Sequence, residues 1–214
     1  MNKTVLTTLL DISDETFAKY ILKQDMLYNK VNQKELLSLI RRAMNCGKEV
    51  AKQIKKDYNV KKVDDYLASM NIQVEEKNEE GISNFICFGA YTPPNKITVY
   101  NTNTKKAQSI IGDKNFPELV GTPFVDVIKA HELFHHIEVN DETLFVNKYK
   151  IPLWKVFGYI HKSRLTALSE IAGMSFAKEL LQLEYNPTAL NVILLYPYHP
   201  EEALLIYREI ISIR

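Results

Sequence analysis

The 214-residue chain is expected to be an α+β protein, mainly helical, with a small antiparallel sheet of about three strands ahead of a long histidine-bearing helix. Three observations lead there. Apolar residues recur at helical spacing before residue 62 and again from Thr122 onward. Between about residues 62 and 101 the period shortens to alternation. The resulting order, helices, small sheet, helices, is that of an α+β fold rather than an alternating α/β one.

Each element has its own warrant. Asn32 and Glu35 form a capping-box pattern before Leu36, Leu39, Ile40, Ala43, Gly47, Val50 and Ile54, which share one helix face. A short helix over Asp64 to Met70 leads into the alternating Ile72-Gln73-Val74. Runs from Phe85 to Tyr91 and from Lys96 to Tyr100 flank the turn Thr92-Pro93-Pro94-Asn95, the pattern of an antiparallel hairpin. Thr122-Pro123 is a strong helix start, because Thr caps an orphan amide and Pro surrenders an N–H that had no partner. From there the chain reads as helical almost to its end, with breaks near Pro152, Asn186-Pro187 and Tyr196 to Pro200. Residues 1–60 are expected to be basic helices packed on a main domain of residues 61–214.

Composition excludes several classes. The chain carries 27 Lys+Arg against 26 Asp+Glu, with 46% hydrophobic residues and only 7 Gly and 8 Pro. This balance argues against a dedicated nucleic-acid binder, and the low Gly and Pro content against long disordered linkers. Charge is nonetheless uneven: residues 1–62 hold 13 Lys+Arg and 7 Asp+Glu, read as solvated helix faces, and no helix-turn-helix pattern accompanies them. Apolar runs are short, so neither a transmembrane span nor a signal peptide is expected, no membrane partner is implied, and the protein reads as cytoplasmic. Cys46 and Cys87 lack metal-ligand spacing and read as reduced thiols. A chain of this length buries roughly 70% of its unfolded surface, so its core needs no structural metal. A bound metal would therefore be functional.

Three of the five histidines fall within six residues, in Ala130-His131-Glu132-Leu133-Phe134-His135-His136. His131 and His135 are four apart, so their imidazoles leave one helix face and can hold one ion between them. Glu132 lies about 100° round the helix, where it can reach a metal-bound water without being a ligand. This is the H-E-x-x-H pattern of zinc peptidases. Val125, Ile128, Leu133, Phe134 and Ile137 mark the helix as largely buried. Two imidazoles and a carboxylate buried together without a partner would cost several kcal/mol, and a shared cation removes that cost. His136 points elsewhere and is expected to form hydrogen bonds only.

A catalytic zinc takes a third protein ligand and keeps one position open. Ile137-Glu138-Val139-Asn140-Asp141 supplies neither the Gly nor the third His of a metzincin. Glu138, Asp141 and Glu142 lie too near the end of their own helix to complete the tetrahedron. The best source is a later helix, Ser163 to Glu184, where Glu170 is flanked at helical spacing by Ser163, Thr166, Ala167, Gly173, Met174 and Ala177. A Gly inside a helix costs about 1 kcal/mol relative to Ala, which close approach of a neighbour can justify. Glu170 is thus the expected third ligand, and Glu179 and Glu184 are expected to be solvated.

The run Pro123 to His136, followed by Glu170-Ile171-Ala172-Gly173-Met174-Ser175-Phe176-Ala177-Lys178-Glu179-Leu180-Leu181, resembles the ImmA/IrrE metallopeptidases. Gly89-Ala90-Tyr91 and Ile97-Thr98-Val99-Tyr100 are similar to that family's strands ahead of its active-site helix. The resemblance covers roughly residues 45 to 185. Met174 stands where the family often has Asn, and the stretch between the motifs, with Trp154, Tyr159 and His161, is longer. The resemblance implies a zincin-like, gluzincin-type fold, zinc held by His131, His135 and Glu170, and Glu132 as general base. It also implies regulatory proteolysis of a cytoplasmic protein substrate, a helix-turn-helix repressor in that family.

Hydrolysis also needs an oxyanion donor, for which Tyr149, Tyr159, His161 and His199 are the sequence candidates. A strand of the hairpin could align an extended substrate by strand addition. The alternative reading is a non-proteolytic zinc-binding regulator that acts by binding a partner.

Overall fold

The computed structural model describes residues 1–78, 88–112, 119, 121 and 123–213. Thr122, Cys87 and the first residues of the expected Phe85 to Tyr91 strand lie outside them. The amino-terminal part is helical: α1 (Lys3–Leu10), α2 (Asp14–Lys23), a 3-10 turn (Tyr28–Lys30), α3 (Leu36–Tyr58) and α4 (Val63–Ser69). Asn2 and Ser13 accept hydrogen bonds from the amides of Val5 and Thr16 and so cap α1 and α2. On α3 the expected face is buried at Leu39, Ile40, Ala43, Gly47 and Ile54, joined by Ala51.

Three strands follow: β1 (Gln73–Lys77), β2 (Gly89–Thr92) and β3 (Lys96–Tyr100), in the spatial order β1-β3-β2. The hairpin is as the sequence suggests, with Ala90 opposite Thr98 in an antiparallel pair. The sheet as a whole is mixed, not antiparallel, because β1 runs parallel to β3 with Val74 opposite Ile97. The hairpin takes one edge of β3, and β1 adds to the other edge in the same direction as β3. That central position accounts for the burial of Ile97, Thr98 and Val99.

Next come α5 (Asn101–Gly112) and the histidine helix α6 (Phe124–Asn140), with Pro123 at its N-cap position. A short helix, α7 (Phe145–Lys148), precedes a second correction. Residues 150–164 form a two-stranded hairpin, β4 (Lys150–Val156) and β5 (Tyr159–Arg164), where the sequence reads as a broken helix. Pro152 is tolerated beside a register irregularity between Pro152 and Trp154, and Phe157-Gly158 turn the chain at positive φ. The Glu170 helix, α8 (Thr166–Leu181), is accordingly shorter than Ser163 to Glu184, since Ser163 and Arg164 belong to β5. Helices α9 (Ala189–Leu195) and α10 (Pro200–Ile211) complete the described chain.

Helix α8 organises the core. Its buried residues include Leu168, Ile171, Ala172, Gly173, Phe176, Ala177 and Leu180, which occupy more than one face, as expected of a helix surrounded by others. On one side α3 meets it backbone to backbone, since a Cβ at Gly47 would overlap the Ala172 carbonyl. On another it meets α6, where Phe134 and Phe176 pack with ring centroids 5.6 Å apart. Its first turn is capped from a distance: Asp25 accepts hydrogen bonds from the Ala167 amide at 2.9 Å and the Thr166 hydroxyl at 3.0 Å. Lys178 pairs with Asp14 at 2.8 Å and ties α8 to α2. The other side of α6 is fixed by Lys129, whose buried ammonium pairs with Asp64 of α4 at 3.0 Å and Glu76 of β1 at 3.3 Å.

Candidate metal centre

On α6 the i, i+4 spacing brings His131 and His135 together as expected. Their Nε2 atoms lie 3.0 Å apart with the rings nearly perpendicular. From α8, Glu170 approaches both: Oε2 is 3.3 Å from His131 Nε2 and Oε1 is 3.6 Å from His135 Nε2. Among the described residues these three form the group whose ligand atoms converge for a metal ion. The fit can be tested on the distances. Ligands placed about 2.0–2.1 Å from a tetrahedral ion sit about 3.3–3.4 Å from one another. The three observed separations lie around that edge length, the two from Glu170 running to different oxygens of its carboxylate, so the two imidazole nitrogens and the carboxylate group converge at the spacing that a shared ion requires.

The two imidazoles are oriented by different means. His135 has a polar partner: its Nδ1 lies 3.2 Å from Glu138 Oε2, and Ser169 of α8 donates a hydrogen bond to the same carboxylate oxygen. A proton held at Nδ1 leaves the Nε2 lone pair facing the group of ligands. His131 Nδ1 is buried with no hydrogen-bond partner among the described residues, so on that side of the ring packing takes the place that Glu138 has behind His135. Gly173 makes that packing possible, because a Cβ there would come within 2.9 Å of both Cε1 and Nδ1 of His131. The internal glycine marked in the sequence is thus explained by a side chain, while Ala172 next to it receives the backbone of α3.

Electrostatics agree with the geometry. Burial opposes a charged His131, but the adjoining Glu170 outweighs it and raises the ring's pKa. Burial likewise works against ionised Glu170, yet the hydrogen bond it accepts from His131 and the charge of both histidines draw it down to about 2. The carboxylate is therefore ionised and suited to a cation.

Glu132 is buried and lines a cleft of about 270 Å³ together with His131, Glu170, Met174, Phe88 and Asn191. Gly89 of β2 brings the sheet against it: a Cβ at Gly89 would lie 3.4 Å from Glu132 Oε1. The position of Glu132, beside the histidines but outside the converging group, is the one its helical phase requires.

Other sequence candidates fall elsewhere. His136 meets the Tyr91 hydroxyl at 3.1 Å and so links α6 to β2. Tyr149, Tyr159, His161 and His199 are not among the residues lining the cleft. His161 stacks on Trp154 at 5.0 Å, and His199 precedes α10. Asn191 on α9 is the polar side chain the sequence reading missed in the cleft, and no local spacing could have marked it. Glu138 was legible in principle, since it lies one turn from His135 on the same helix, whereas Ser169, next to Glu170 in sequence, is brought to Glu138 only by the packing of α8 on α6. Cys46 is free and half-buried. No helix among the described residues is long and apolar enough to cross a membrane. No known family, curated protein or solved structure matches this chain.

Proposed function

We propose that this chain is a zinc metallopeptidase of the ImmA/IrrE type, hydrolysing a peptide bond in a specific cytoplasmic protein such as a helix-turn-helix repressor. The observation that carries the proposal is the convergence of His131, His135 and Glu170 from two helices, with Glu132 buried beside them on the same cleft. Two neutral nitrogens and one carboxylate are a donor set suited to catalytic zinc. When bound, the metal would supply an activated water near neutral pH and polarise the scissile carbonyl.

The chain's residues do the rest. Glu132 takes the proton of the attacking water on its carboxylate and returns it to the leaving amine nitrogen. Asn191 offers an amide donor to the developing oxyanion. An extended substrate adds along β2, since β3 is occupied on both sides and β2 is, among the described residues, the edge strand beside Glu132.

The test pairs metal analysis with cleavage. Wild type and Glu132→Gln should each carry about one zinc per chain, and Glu170→Ala much less. A repressor-like partner captured from the host should be cut by wild type and left intact by Glu132→Gln. Wild type that neither retains nor takes up zinc after chelator-free purification would overturn the proposal. Zinc binding without cleavage of any captured partner would instead support the non-proteolytic regulator.

A further inference from the structure

The β4–β5 hairpin is not used by the metal centre, and its composition differs from the rest of the surface. Large apolar side chains crowd its distal end: Phe157 is fully exposed at 106%, Tyr159 63%, Trp154 51%, Val156 49% and Ile160 44%. Among the described residues no other seven-residue stretch exposes as many large apolar side chains. Exposed apolar clusters of this kind mark contact surfaces. The hairpin's base, in contrast, is anchored in the core by Ile151 and Leu165, which are buried.

Backbone geometry places the tip on purpose. Phe157 and Gly158 both have positive φ, 47° and 86°, as a tight two-residue hairpin requires. Gly is at ease there, but an aromatic residue in the left-handed region is an outlier, and a conformation of this sort points toward a use. The core makes no demand for Phe157, since its side chain touches water throughout.

Charge completes the pattern. From residue 143 to 169 the sequence contains Lys148, Lys150, Lys155, Lys162 and Arg164 and no Asp or Glu. Lys148, Lys150, Lys162 and Arg164 stand toward the base, with Lys150 opposite Arg164 and Pro152 opposite Lys162. Glu138 and Glu142 share a cleft with Lys148, Lys150 and Arg164 at that base. Along the hairpin, then, a bulky apolar tip with one cation within it, Lys155 opposite Ile160, gives way to Trp154 and Tyr159, which pack with centroids 6.0 Å apart, and then to the basal cations. That is the order met in crossing a membrane surface outward: acyl chains, the interfacial layer that Trp and Tyr prefer, and anionic headgroups. Trp, Tyr and Phe suit a protein interface as well as a membrane surface, so the cations decide between the two: interfaces between proteins favour Arg over Lys, whereas four of these five cations are Lys.

We infer that the 150–164 hairpin is an anchor for anionic lipid bilayers, inserting Phe157 and its apolar neighbours shallowly while Lys162, the basal cation nearest the tip, meets acidic headgroups and Lys150 and Arg164 attract the surface from farther off. The inference is independent of the metal centre's chemistry. Peripheral anchoring needs no membrane-spanning helix, and the near-neutral charge of the whole chain conceals the local excess.

Trp154 is the chain's one tryptophan, so its fluorescence reports on the hairpin alone. Added vesicles of phosphatidylcholine and phosphatidylserine, two to one, should shift Trp154 emission to the blue, and brominated lipids should quench it. Vesicles of phosphatidylcholine alone should do neither, and high salt should reverse the shift. Lys150→Glu with Lys162→Glu should weaken partitioning about thirtyfold or more. Phe157→Asp should abolish quenching while leaving the thermal midpoint unchanged or higher, because Asp tolerates positive φ better than Phe. No shift with the acidic vesicles, an equal shift with neutral ones, or Phe157-dependent self-association in place of lipid binding would each overturn the inference.

Discussion

His135 Nδ1 lies 3.2 Å from Glu138 Oε2, one turn further along the same helix, and Ser169 of the opposing helix holds that carboxylate in place. This chain of contacts links the two helices of the metal centre at a second level, behind the ligands. Glu138→Gln and Ser169→Ala should therefore lower zinc affinity about 10- to 100-fold, with Glu138→Gln the larger effect. Competition with a chromophoric chelator measures this directly. Unchanged affinity in both variants would show that His135 needs no orienting partner.

Gly173→Ala separates stability from site geometry. Replacing an internal helix glycine gains about 1 kcal/mol of helix propensity. The added Cβ, however, would stand 2.9 Å from His131 Cε1 and Nδ1 and push the ring from its place. The expected result is a thermal midpoint close to wild type with zinc affinity reduced at least about tenfold.

Gly47→Ala has the opposite signature. Its Cβ would meet the carbonyl of Ala172, a backbone atom that cannot swing aside, so α3 must separate from α8. A loss of about 3 kcal/mol or more is expected in denaturant unfolding, toward the upper end for overpacked cores.

Lys129 ties α6 to α4 and β1. Lys129→Ala should cost about 1–2 kcal/mol, less than the 3–5 of a fully buried pair, because Asp64 and Glu76 stay half in water. Glu76 is held below its usual range by its hydrogen bond from Asn101 and by Lys129, so its contribution is present above the ordinary carboxylate value and fades as pH falls. Burial opposes the Lys129 charge, but Asp64 and Glu76 raise its pKa, so its part persists through neutral pH and is lost only as alkaline pH passes that raised value. In Lys129→Ala the acid limb of the stability profile should flatten.

The metal-free protein should show opposed pH dependences. Glu170, lowered to about 2, stabilises the fold above its ordinary 4.5 and loses that effect as pH falls toward 2. His131, raised above 6.5, stabilises below 6.5 and loses its effect as pH climbs past the raised value. Zinc must displace the His131 proton, so affinity should rise over the same interval in which metal-free stability declines, with proton release visible by calorimetry in two buffers.

Much of this was readable from residues alone. H-E-x-x-H at i, i+4 determines that His131 and His135 share a helix face, because helical periodicity is local and needs no partner. Small residues round Glu170 identify the helix that can come close, since close approach demands small side chains wherever the neighbour lies. The β2–β3 hairpin was legible for the same local reason. The β4–β5 hairpin was hidden because Pro152 reads as a helix break, although Ile151, Trp154, Val156, Tyr159 and Ile160 are strand formers and Phe157-Gly158 a turn.

The tertiary structure decided what depends on non-local packing. It set the parallel pairing of β1 with β3, which no local pattern encodes, and so left β2 as the edge beside Glu132 among the described residues. It assigned Gly173 to a histidine ring and Gly47 to a neighbouring backbone, two uses that are identical in sequence. It brought Ser169 to Glu138, and Asp25 to the first turn of α8, across 141 residues. Periodicity fixes which way a side chain leaves its own helix, but only the packing of helices on one another determines what it meets.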